Sequence, residues 1–216
     1  MDQENLKSAL RGGIAELGLA LSNDAVAALC SYIDLLHQWN QRYNLTAVRD
    51  PGEMVSRHLL DSLAVMPYLH GKRVLDAGTG AGLPGIPLAA ACPERHFVLL
   101  DSNGKKVRFV SHAVTALSLK NVEVVQARAE DYRPAELFAT VISRAFAQLA
   151  DFLRMTGHLC VPGGRWLAMK GAPSESELQN LPAGFRRVAV HPLKVPGLDV
   201  RRCVVEVKKQ VLRSVC

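Results

Sequence analysis

Apolar residues recur at helical spacing through roughly the first 70 positions of the chain. Val26, Leu29 and Ile33 lie three or four positions apart, which places them on one face of a helix. The polar segment Ser22–Asp24 precedes them and consists of residue types that favour helix N-caps. A helix is therefore predicted to begin at this segment and to bury the face that carries the apolar residues.

A second helical segment is predicted to begin after Asp50. Glu53 follows Asp50 at capping-box spacing, and Pro51 occupies the first helical position, where a missing N–H costs nothing. The apolar positions that continue this helix are Met54, Val55, Leu59, Leu60, Leu63 and Val65.

From residue 72 the pattern changes to short apolar runs that alternate with helical stretches. The predicted strands are Arg73–Ala77, Phe97–Asp101, Val122–Gln126, Thr140–Ser143, Trp166–Lys170, Arg187–His191 and Cys203–Val207. The predicted helices are Gly85–Cys92, Lys105–Leu119, Ala147–Leu159 and Glu175–Asn180. This alternation predicts an α/β protein with a doubly wound, seven-stranded, mostly parallel sheet. The last two strands have no helix between them, so an antiparallel hairpin at the sheet edge is expected.

The chain is therefore expected to divide into a helical N-terminal extension, residues 1–70, packed on a Rossmann-like core, residues 71–216.

Composition agrees with a globular protein: 49% of the 216 residues are hydrophobic and 21% are charged. No stretch approaches the ~18 consecutive apolar residues of a membrane span, and the polar start Met1–Asn5 does not resemble a signal peptide. A cytoplasmic protein without a membrane partner is expected.

The spacing of the cysteines and the net charge restrict the kinds of site and partner that are expected. The five cysteines are scattered without a C-x-x-C pair, so neither a metal site nor a disulfide framework is expected. The net charge of +6 favours polyanionic partners, but charge alone does not select a nucleic acid.

The segment Asp76–Gly85, which reads Asp-Ala-Gly-Thr-Gly-Ala-Gly-Leu-Pro-Gly, lies between the first predicted strand and its helix. Glycine at three alternate positions removes three Cβ atoms, so that a ligand can approach the backbone closely. Asp101, at the end of the second strand, is expected to bind ribose hydroxyls, although it could instead cap the following helix.

The spacing of these glycines separates two classes of cofactor. Dinucleotide sites prefer G-x-G-x-x-G, whereas this chain has G-x-G-x-G. The carboxylate of Asp76 just before the first glycine suits a cationic ligand, and S-adenosyl-L-methionine carries an ammonium and a sulfonium group. The segment therefore predicts an S-adenosyl-L-methionine site.

Several further motifs resemble the bacterial ribosomal RNA small subunit methyltransferase G family, also called glucose-inhibited division protein B. The matching segments are Asn44–Asp50, Arg57–Ser62, Gly78–Pro87, Leu100–Phe109, Ala129–Glu130, Ser143–Ala147 and Lys170–Gly171. The likeness extends roughly from residue 30 to residue 209 and departs at Asn103, where an apolar residue is expected. It implies a class I S-adenosyl-L-methionine-dependent methyltransferase that modifies guanine N7 in 16S rRNA.

The resemblance and the glycine pattern together imply a set of cofactor-binding residues at the ends of four strands: Gly78, Gly80, Leu83, Asp101, Ala129, Glu130 and Arg144. Glu130 could instead begin an exposed helix. Guanine N7 has a free lone pair and no proton to lose, so no general base is expected and catalysis can come from alignment. Arg144 is expected to position substrate or cofactor.

Several other residues have open roles. Phe146 either stacks on a flipped base or belongs to the core. Arg57 and His58 either face the pocket and bind phosphate or act structurally, for example by pairing with Asp61. Lys170 is a candidate for RNA phosphate contact. A basic cluster that is either a second such candidate or a solvated helix face is Lys105, Lys106 and Arg108.

The expected partner is small-subunit ribosomal RNA or a ribosomal subunit, the expected oligomeric state is a monomer, and no metal is expected. Two alternatives remain open at the level of sequence. One is a catalytically silent RNA-binding assembly factor that keeps this fold, and the other is a nicotinamide-dependent oxidoreductase that uses the same glycine loop.

Overall fold

The computed structural model describes residues 3–210 of the chain. Its helices are α1 (Gln3–Glu16), α2 (Asn23–Tyr43), α3 (Pro51–Met54), α4 (Asp61–Leu63), α5 (Gly85–Ala91), α6 (Gly104–Ala116), α7 (Leu149–Thr156) and α8 (Glu175–Gln179). Its strands are β1 (Arg73–Ala77), β2 (His96–Asp101), β3 (Val122–Gln126), β4 (Phe138–Ser143), β5 (Cys160–Lys170), β6 (Phe185–Leu193) and β7 (Arg202–Lys209).

Side-chain caps begin the two N-terminal helices that the sequence predicts. The Ala25 amide donates to Ser22 Oγ at 3.1 Å, and the Glu53 amide donates to Asp50 Oδ1 at 3.0 Å. The helix after Asp50 is not uniform, because a π-helical stretch, Val55–Leu60, separates α3 from α4. A 3₁₀ turn (Met66–Tyr68) then leads towards β1.

The seven strands form one sheet in the order β3-β2-β1-β4-β5-β7-β6. The five strands β1 to β5 pair in parallel, and β7 runs antiparallel to both β5 and β6. The predicted edge hairpin is therefore confirmed, with β7 inserted between β5 and β6. Strand β5 begins at Cys160 rather than at Trp166, because the Pro162–Gly164 segment, which interrupts the apolar pattern, is accommodated within the strand.

Both faces of the sheet are covered, as near-continuous apolar strands require. On one face the N-terminal helices, α5 and α6 share an apolar cluster with the sheet that includes Leu29, Tyr32, Leu36, Phe97, Leu99 and Phe109. On the other face α7 packs on a cluster that includes Leu75, Val98, Leu100, Phe152 and Trp166. The extension thus packs on the sheet, whereas a domain boundary at residue 70 stays a prediction.

The strand order places a crevice above β1 and β4. The chain proceeds from β1 to β2 and β3 on one side and returns to β4 and β5 on the other, so the loops after β1 and β4 leave in opposite directions. Such a reversal point, at the carboxyl ends of the strands, is where open α/β sheets bind ligands.

Two further observations concern the described part of the chain. None of its helices combines the length and the apolar character needed to cross a bilayer. Four cysteines are buried free thiols, namely Cys30, Cys92, Cys160 and Cys203, and the fifth, Cys216, lies outside the described residues.

Candidate active site

The glycine loop after β1 adopts a backbone conformation that favours glycine at three positions. Gly78, Gly80 and Gly82 have φ angles of 72°, 61° and 90°. The amides of Gly78 and Thr79 both donate to the Leu100 carbonyl of β2, at 2.8 and 3.0 Å. A Cβ on Gly80 would meet nothing closer than 3.9 Å, so the backbone there is open to a ligand.

The side chain of Asp76 lies beneath the glycine loop. Its side chain is fully buried, and its Oδ2 atom accepts hydrogen bonds from Thr79 Oγ1 at 2.6 Å and from the Gly85 amide at 2.8 Å. Burial raises the pKa of Asp76 from 3.8 to about 6. The carboxylate therefore braces the loop from inside through Oδ2, and its attraction for a cationic ligand stays a prediction.

Asp101 also holds the loop. Its Oδ2 accepts from the Gly80 amide at 2.9 Å, and its Oδ1 accepts from the Asn103 amide at 2.8 Å. The alternative that Asp101 caps the following helix is wrong, because Asn103 caps α6 by accepting from the amides of Lys105 and Lys106. Asn103, the departure from the family pattern, is thus a functional N-cap. Ribose binding by Asp101 stays a prediction.

Two adjoining cavities at the carboxyl ends of the strands contain all seven predicted cofactor-binding residues. The first, of about 170 Å³, includes Gly78, Asp101, Ala129 and Glu130 in its lining. The second, of about 280 Å³, includes Gly78, Gly80, Leu83 and Arg144 in its lining. Gly78 belongs to both, so the two cavities form one cleft, called the glycine-loop cleft below. A Cβ on Gly78 would lie 2.9 Å from the Ala145 Cβ, which shows how closely the loops approach.

Glu130 lies in a turn at the rim of this cleft. The amides of Asp131 and Tyr132 both donate to the Arg128 carbonyl, and no helix continues from the turn. The alternative that Glu130 begins an exposed helix is therefore wrong. Its side chain is 43% exposed and lies 4.0 Å from the Arg128 guanidinium, so its carboxylate remains available to a ligand in the cleft.

Sequence reasoning missed several residues of the cleft and one residue that supports it. The additional lining residues include Leu45, Thr46, Arg128 and Met155. The supporting residue is Tyr32 of α2, whose buried hydroxyl donates to the Ala81 carbonyl at 2.7 Å. The N-terminal extension therefore holds the glycine loop directly, through a contact that only the tertiary fold creates.

Arg144 extends from the loop after β4 into a buried ionic bridge. Its Nη1 donates to Asp61 Oδ2 at 3.1 Å and to the Arg57 carbonyl at 3.2 Å. Asp61 is 3% exposed and also accepts two hydrogen bonds from Arg202 of β7, at 2.6 and 2.7 Å. The suggested pairing of Arg57 with Asp61 is wrong, because Arg57 pairs with Glu53 at 3.4 Å.

His58 has a structural role in this conformation. It is 5% exposed, and its Nε2 lies 2.9 Å from Thr46 Oγ1. Burial, and then the neighbouring Arg144 guanidinium, lowers the pKa of His58 from 6.5 to about 4. The imidazole is therefore neutral near pH 7 and does not offer a cation to phosphate.

Lys170 is also structural, which corrects its predicted contact with RNA phosphate. Its ammonium donates to the carbonyls of Phe146 and Ala147, at 2.9 and 2.6 Å, and pairs with Glu177 at 2.9 Å. Only 11% of its side chain is exposed. Glu177 also accepts from the Leu149 amide at 2.8 Å, so the pair braces the loop that follows β4.

The remaining candidates from the sequence are Phe146 and the basic cluster of α6, and only some of these residues line the cleft. The ring of Phe146 is partly buried, lies 5.3 Å from the Phe152 ring and lines the first cavity, so it belongs to the core and to the cleft. Lys106 lines the second cavity, whereas Lys105 and Arg108 are exposed on α6. Among residues 3–210, no group of three or more histidine, cysteine or acidic side chains is arranged to hold a metal ion.

Comparison with known proteins identifies the family. A family model described as rRNA small subunit methyltransferase G matches residues 25–205. The chain belongs to this family. Relatives named ribosomal RNA small subunit methyltransferase G share half of its residues. The one from Nitrosococcus oceani is 50% identical over 199 residues, covering 92% of this chain and 93% of the relative. Those from Stutzerimonas stutzeri and Pseudomonas aeruginosa are each 52% identical, covering 88% and 89% of this chain and 89% and 91% of their own lengths.

Solved structures confirm that this methyltransferase G family member has a methyltransferase fold. The glycopeptide N-methyltransferase MtfA in complex with S-adenosyl-L-homocysteine gives a TM-score of 0.58 at 12% identity, covering 71% of this chain and 87% of MtfA. A SAM-dependent methyltransferase from Aquifex aeolicus gives 0.54 at 20% identity, covering 73% and 93%. TrmN from Thermus thermophilus gives 0.55 at 22% identity, covering 79% and 53%.

Proposed function

We propose that this protein transfers a methyl group from S-adenosyl-L-methionine to N7 of a guanine in small-subunit (16S) ribosomal RNA. The observation that carries the proposal is the glycine-loop cleft at the reversal point of the sheet, in a chain that belongs to the methyltransferase G family. The choice of N7 comes from the family resemblance and from the absence of any need for a base at that atom.

The residues of the cleft fit S-adenosyl-L-methionine. Gly80 leaves its backbone open, and Gly78 forms the floor common to both cavities. Asp101 and Glu130 offer carboxylate oxygens suited to hydroxyl and amino donors. Asp76 adds a buried negative charge beneath the loop, and its Oδ1 has no hydrogen-bond partner in the structure. When bound, the cofactor supplies an electrophilic methyl group.

The protein's own contribution to the reaction is alignment. Guanine N7 needs no deprotonation, so the site must hold it in line with the methyl group and exclude other nucleophiles. Arg144 is fixed by Asp61 at the wall of the second cavity, where its remaining N–H groups can bind an acceptor such as guanine O6. Phe146 offers a ring face at the first cavity.

The test is methyl transfer to ribosomal RNA purified from cells that lack this gene. After incubation with labelled S-adenosyl-L-methionine, the RNA is digested and its nucleosides are analysed by mass spectrometry. We expect one labelled 7-methylguanosine per RNA molecule. Label at any other atom would refute the N7 assignment.

The same preparation separates the two alternatives. RNA binding without turnover would favour the silent assembly factor, and displacement of S-adenosyl-L-methionine by NADH in a competition titration would favour the oxidoreductase. Gly78→Asp brings a Cβ within 2.9 Å of the Ala145 Cβ, adds a carboxylate beyond it, and should abolish cofactor binding. Gly163→Asp is the matched control, because that position also has positive φ but open surroundings.

We further propose that the protein acts as a monomer in the cytoplasm, where its ribosomal substrate is made, and that it needs no metal. Sedimentation of the purified protein with and without RNA tests the monomer. The absence of a metal requirement is tested by adding a chelator, which should leave methyl transfer unchanged. In a parallel sample, magnesium is added back after the chelator, because the RNA structure needs it.

A further inference from the structure

Another opening, separate from the glycine-loop cleft, shares Arg144 with it. It encloses about 280 Å³ and is called the arginine cavity here. Its lining residues are Val48, Arg57, His58, Asp61, Arg144, Leu198, Val200 and Arg202. Arg144 also lines the glycine-loop cleft, so one guanidinium forms a wall between the two openings.

The arginine cavity has an excess of positive charge. Three arginines line it, against the single carboxylate of Asp61, and His58 is neutral because its pKa lies near 4. Asp61 engages one edge of Arg202 and one amino group of Arg144. The Arg144 Nη1 group also donates to the Arg57 carbonyl. Among the described residues, Nε and Nη2 of Arg144 and Nη1 of Arg202 have no hydrogen-bond partner, so they remain available to an anion.

Arg57 stands at the mouth of this cavity in a replaceable ion pair. It is 53% exposed and lies 3.4 Å from Glu53, which is 58% exposed, one helical turn earlier. Exposed pairs at this spacing contribute only about 0.3–0.5 kcal/mol. A phosphate oxygen that enters the cavity can therefore take over the guanidinium in a stronger, charge-assisted contact.

The rest of the lining is apolar. Val48, Leu198 and Val200 contribute aliphatic surface, and Val200 is 60% exposed. Exposed aliphatic surface beside guanidinium groups suits a ligand that carries the C–H face of a sugar ring next to an anionic group. A nucleotide within an RNA strand has both, whereas inorganic phosphate uses only the arginines.

We propose that the arginine cavity binds the target nucleotide of the RNA substrate. Its phosphodiester contacts Arg57 and the free N–H of Arg202, its ribose lies against Val200, and its base passes Arg144 into the glycine-loop cleft. This inference rests on the proposed methyl transfer, because it gives the acceptor an entrance distinct from that of the cofactor.

Two substitutions test it without disturbing the cofactor residues. Val200→Trp fills the mouth from an exposed position, with Val188→Trp as control, because Val188 is 38% exposed on β6 and does not line the cavity. Arg57→Ala removes the guanidinium at the mouth. Its control is Arg154→Ala, because Arg154 is 63% exposed in a comparable intrahelical pair with Asp151.

The readouts are the KM for undermethylated RNA, kcat, and the affinity for S-adenosyl-L-methionine measured by calorimetry. We expect both cavity variants to raise KM about tenfold, the loss typical of one charge-assisted contact, with cofactor affinity unchanged. For Arg57→Ala the salt dependence of RNA binding should also weaken, by about 0.7 in the slope of log K against log salt. Both control variants should match the unmodified protein.

Unchanged KM and unchanged salt slope in the cavity variants would overturn the inference. A parallel loss of cofactor affinity would also overturn it, because the cavity would then act only through the cofactor site. If the unmodified protein transfers no methyl group, the proposed function fails. In that case the salt dependence of RNA binding still shows whether the arginine cavity binds RNA. Failure of the proposed function and failure of this inference are therefore distinguishable.

Discussion

Replacing Asp61 by asparagine should weaken both the fold and the reaction. The side chain keeps its shape but loses the charge that three hydrogen bonds from Arg202 and Arg144 require. Asp61 is 3% exposed, and the two arginine side chains are 18% and 22% exposed, so solvent screens the bridge little. Removing one partner of such a buried pair costs about 3–5 kcal/mol. Because asparagine retains one acceptor oxygen, we expect the lower end, about 3 kcal/mol.

That loss has a measurable size in a chain of this length. Each kcal/mol corresponds to a shift in Tm of roughly 2–4 °C for domains of about 150–250 residues, so Tm should fall by roughly 6–12 °C. In conditions where the variant is folded, kcat should fall because Arg144 loses its anchor, whereas calorimetry should still detect cofactor binding at Gly78 and Asp101.

The matched control is Asp151→Asn. Asp151 pairs with Arg154 at 2.6 Å, but the two side chains are 45% and 63% exposed. Exposed pairs contribute about 0–1 kcal/mol, so the change in Tm should be within a few degrees. If Asp61→Asn behaves like this control in both stability and kcat, the bridge neither stabilises the fold nor holds Arg144. In a double-mutant cycle with Arg202→Gln, the coupling energy should lie within about 0.5–3 kcal/mol.

Three other substitutions follow from the site. Gly85→Ala would place a Cβ 2.1 Å from Leu99 Cδ2 and should lower the free energy of unfolding by about 1–3 kcal/mol or more, measured in urea. Tyr32→Phe leaves the buried Ala81 carbonyl without its donor and should cost about 1–3 kcal/mol and weaken cofactor binding, measured by calorimetry. His58→Gln should remove a pH dependence. The folded pKa of His58 is lowered from 6.5 to about 4, so the unmodified protein should lose stability as pH falls through this window, by up to about 3 kcal/mol.

Matched controls make these three results interpretable. Gly12→Ala in α1 should be neutral or stabilising, since a Cβ there meets nothing within 4 Å. Tyr43→Phe alters a tyrosine of α2 that is 39% exposed and should leave stability and cofactor affinity unchanged. His70→Gln alters an exposed histidine and should leave the acid sensitivity in place. Equal effects in a variant and its control would contradict the corresponding contact.

The sequence predicted the elements of this fold well where local pattern decides them. The bounds of β1 and β3 agree with the prediction, because each is a short apolar run between turn residues. The predicted helix Lys105–Leu119 is shorter, Gly104–Ala116, since the chain turns at Ser118 with a φ of 53°. The π-helical turn at Val55–Leu60 carries no signal in the apolar spacing and was missed.

In the candidate site, too, local sequence pattern predicted some features and not others. Its loops come directly after the ends of predicted strands. Residues that line the glycine-loop cleft could therefore be named from motifs and spacing. The partners that fix them could not be named, because they are distant in sequence. Arg202 is separated from Asp61 by 141 positions, and Tyr32 from Ala81 by 49. Lys170 has the residue type of a phosphate ligand, and only its contacts with Phe146 and Glu177 show that its charge is already engaged.

The bridge through Asp61 also bears on when the site becomes complete during synthesis. The glycine loop, Asp61 and Arg144 all leave the ribosome before β7, which pairs with β5 in the interior of the sheet. Because Arg202 belongs to β7, Asp61 gains this second arginine partner only once β7 has paired with β5. Arg202 lines the arginine cavity, so this cavity lacks one of its arginines until β7 is in place. Completion of the arginine cavity is thereby coupled to the pairing of a strand that the chain supplies near its end.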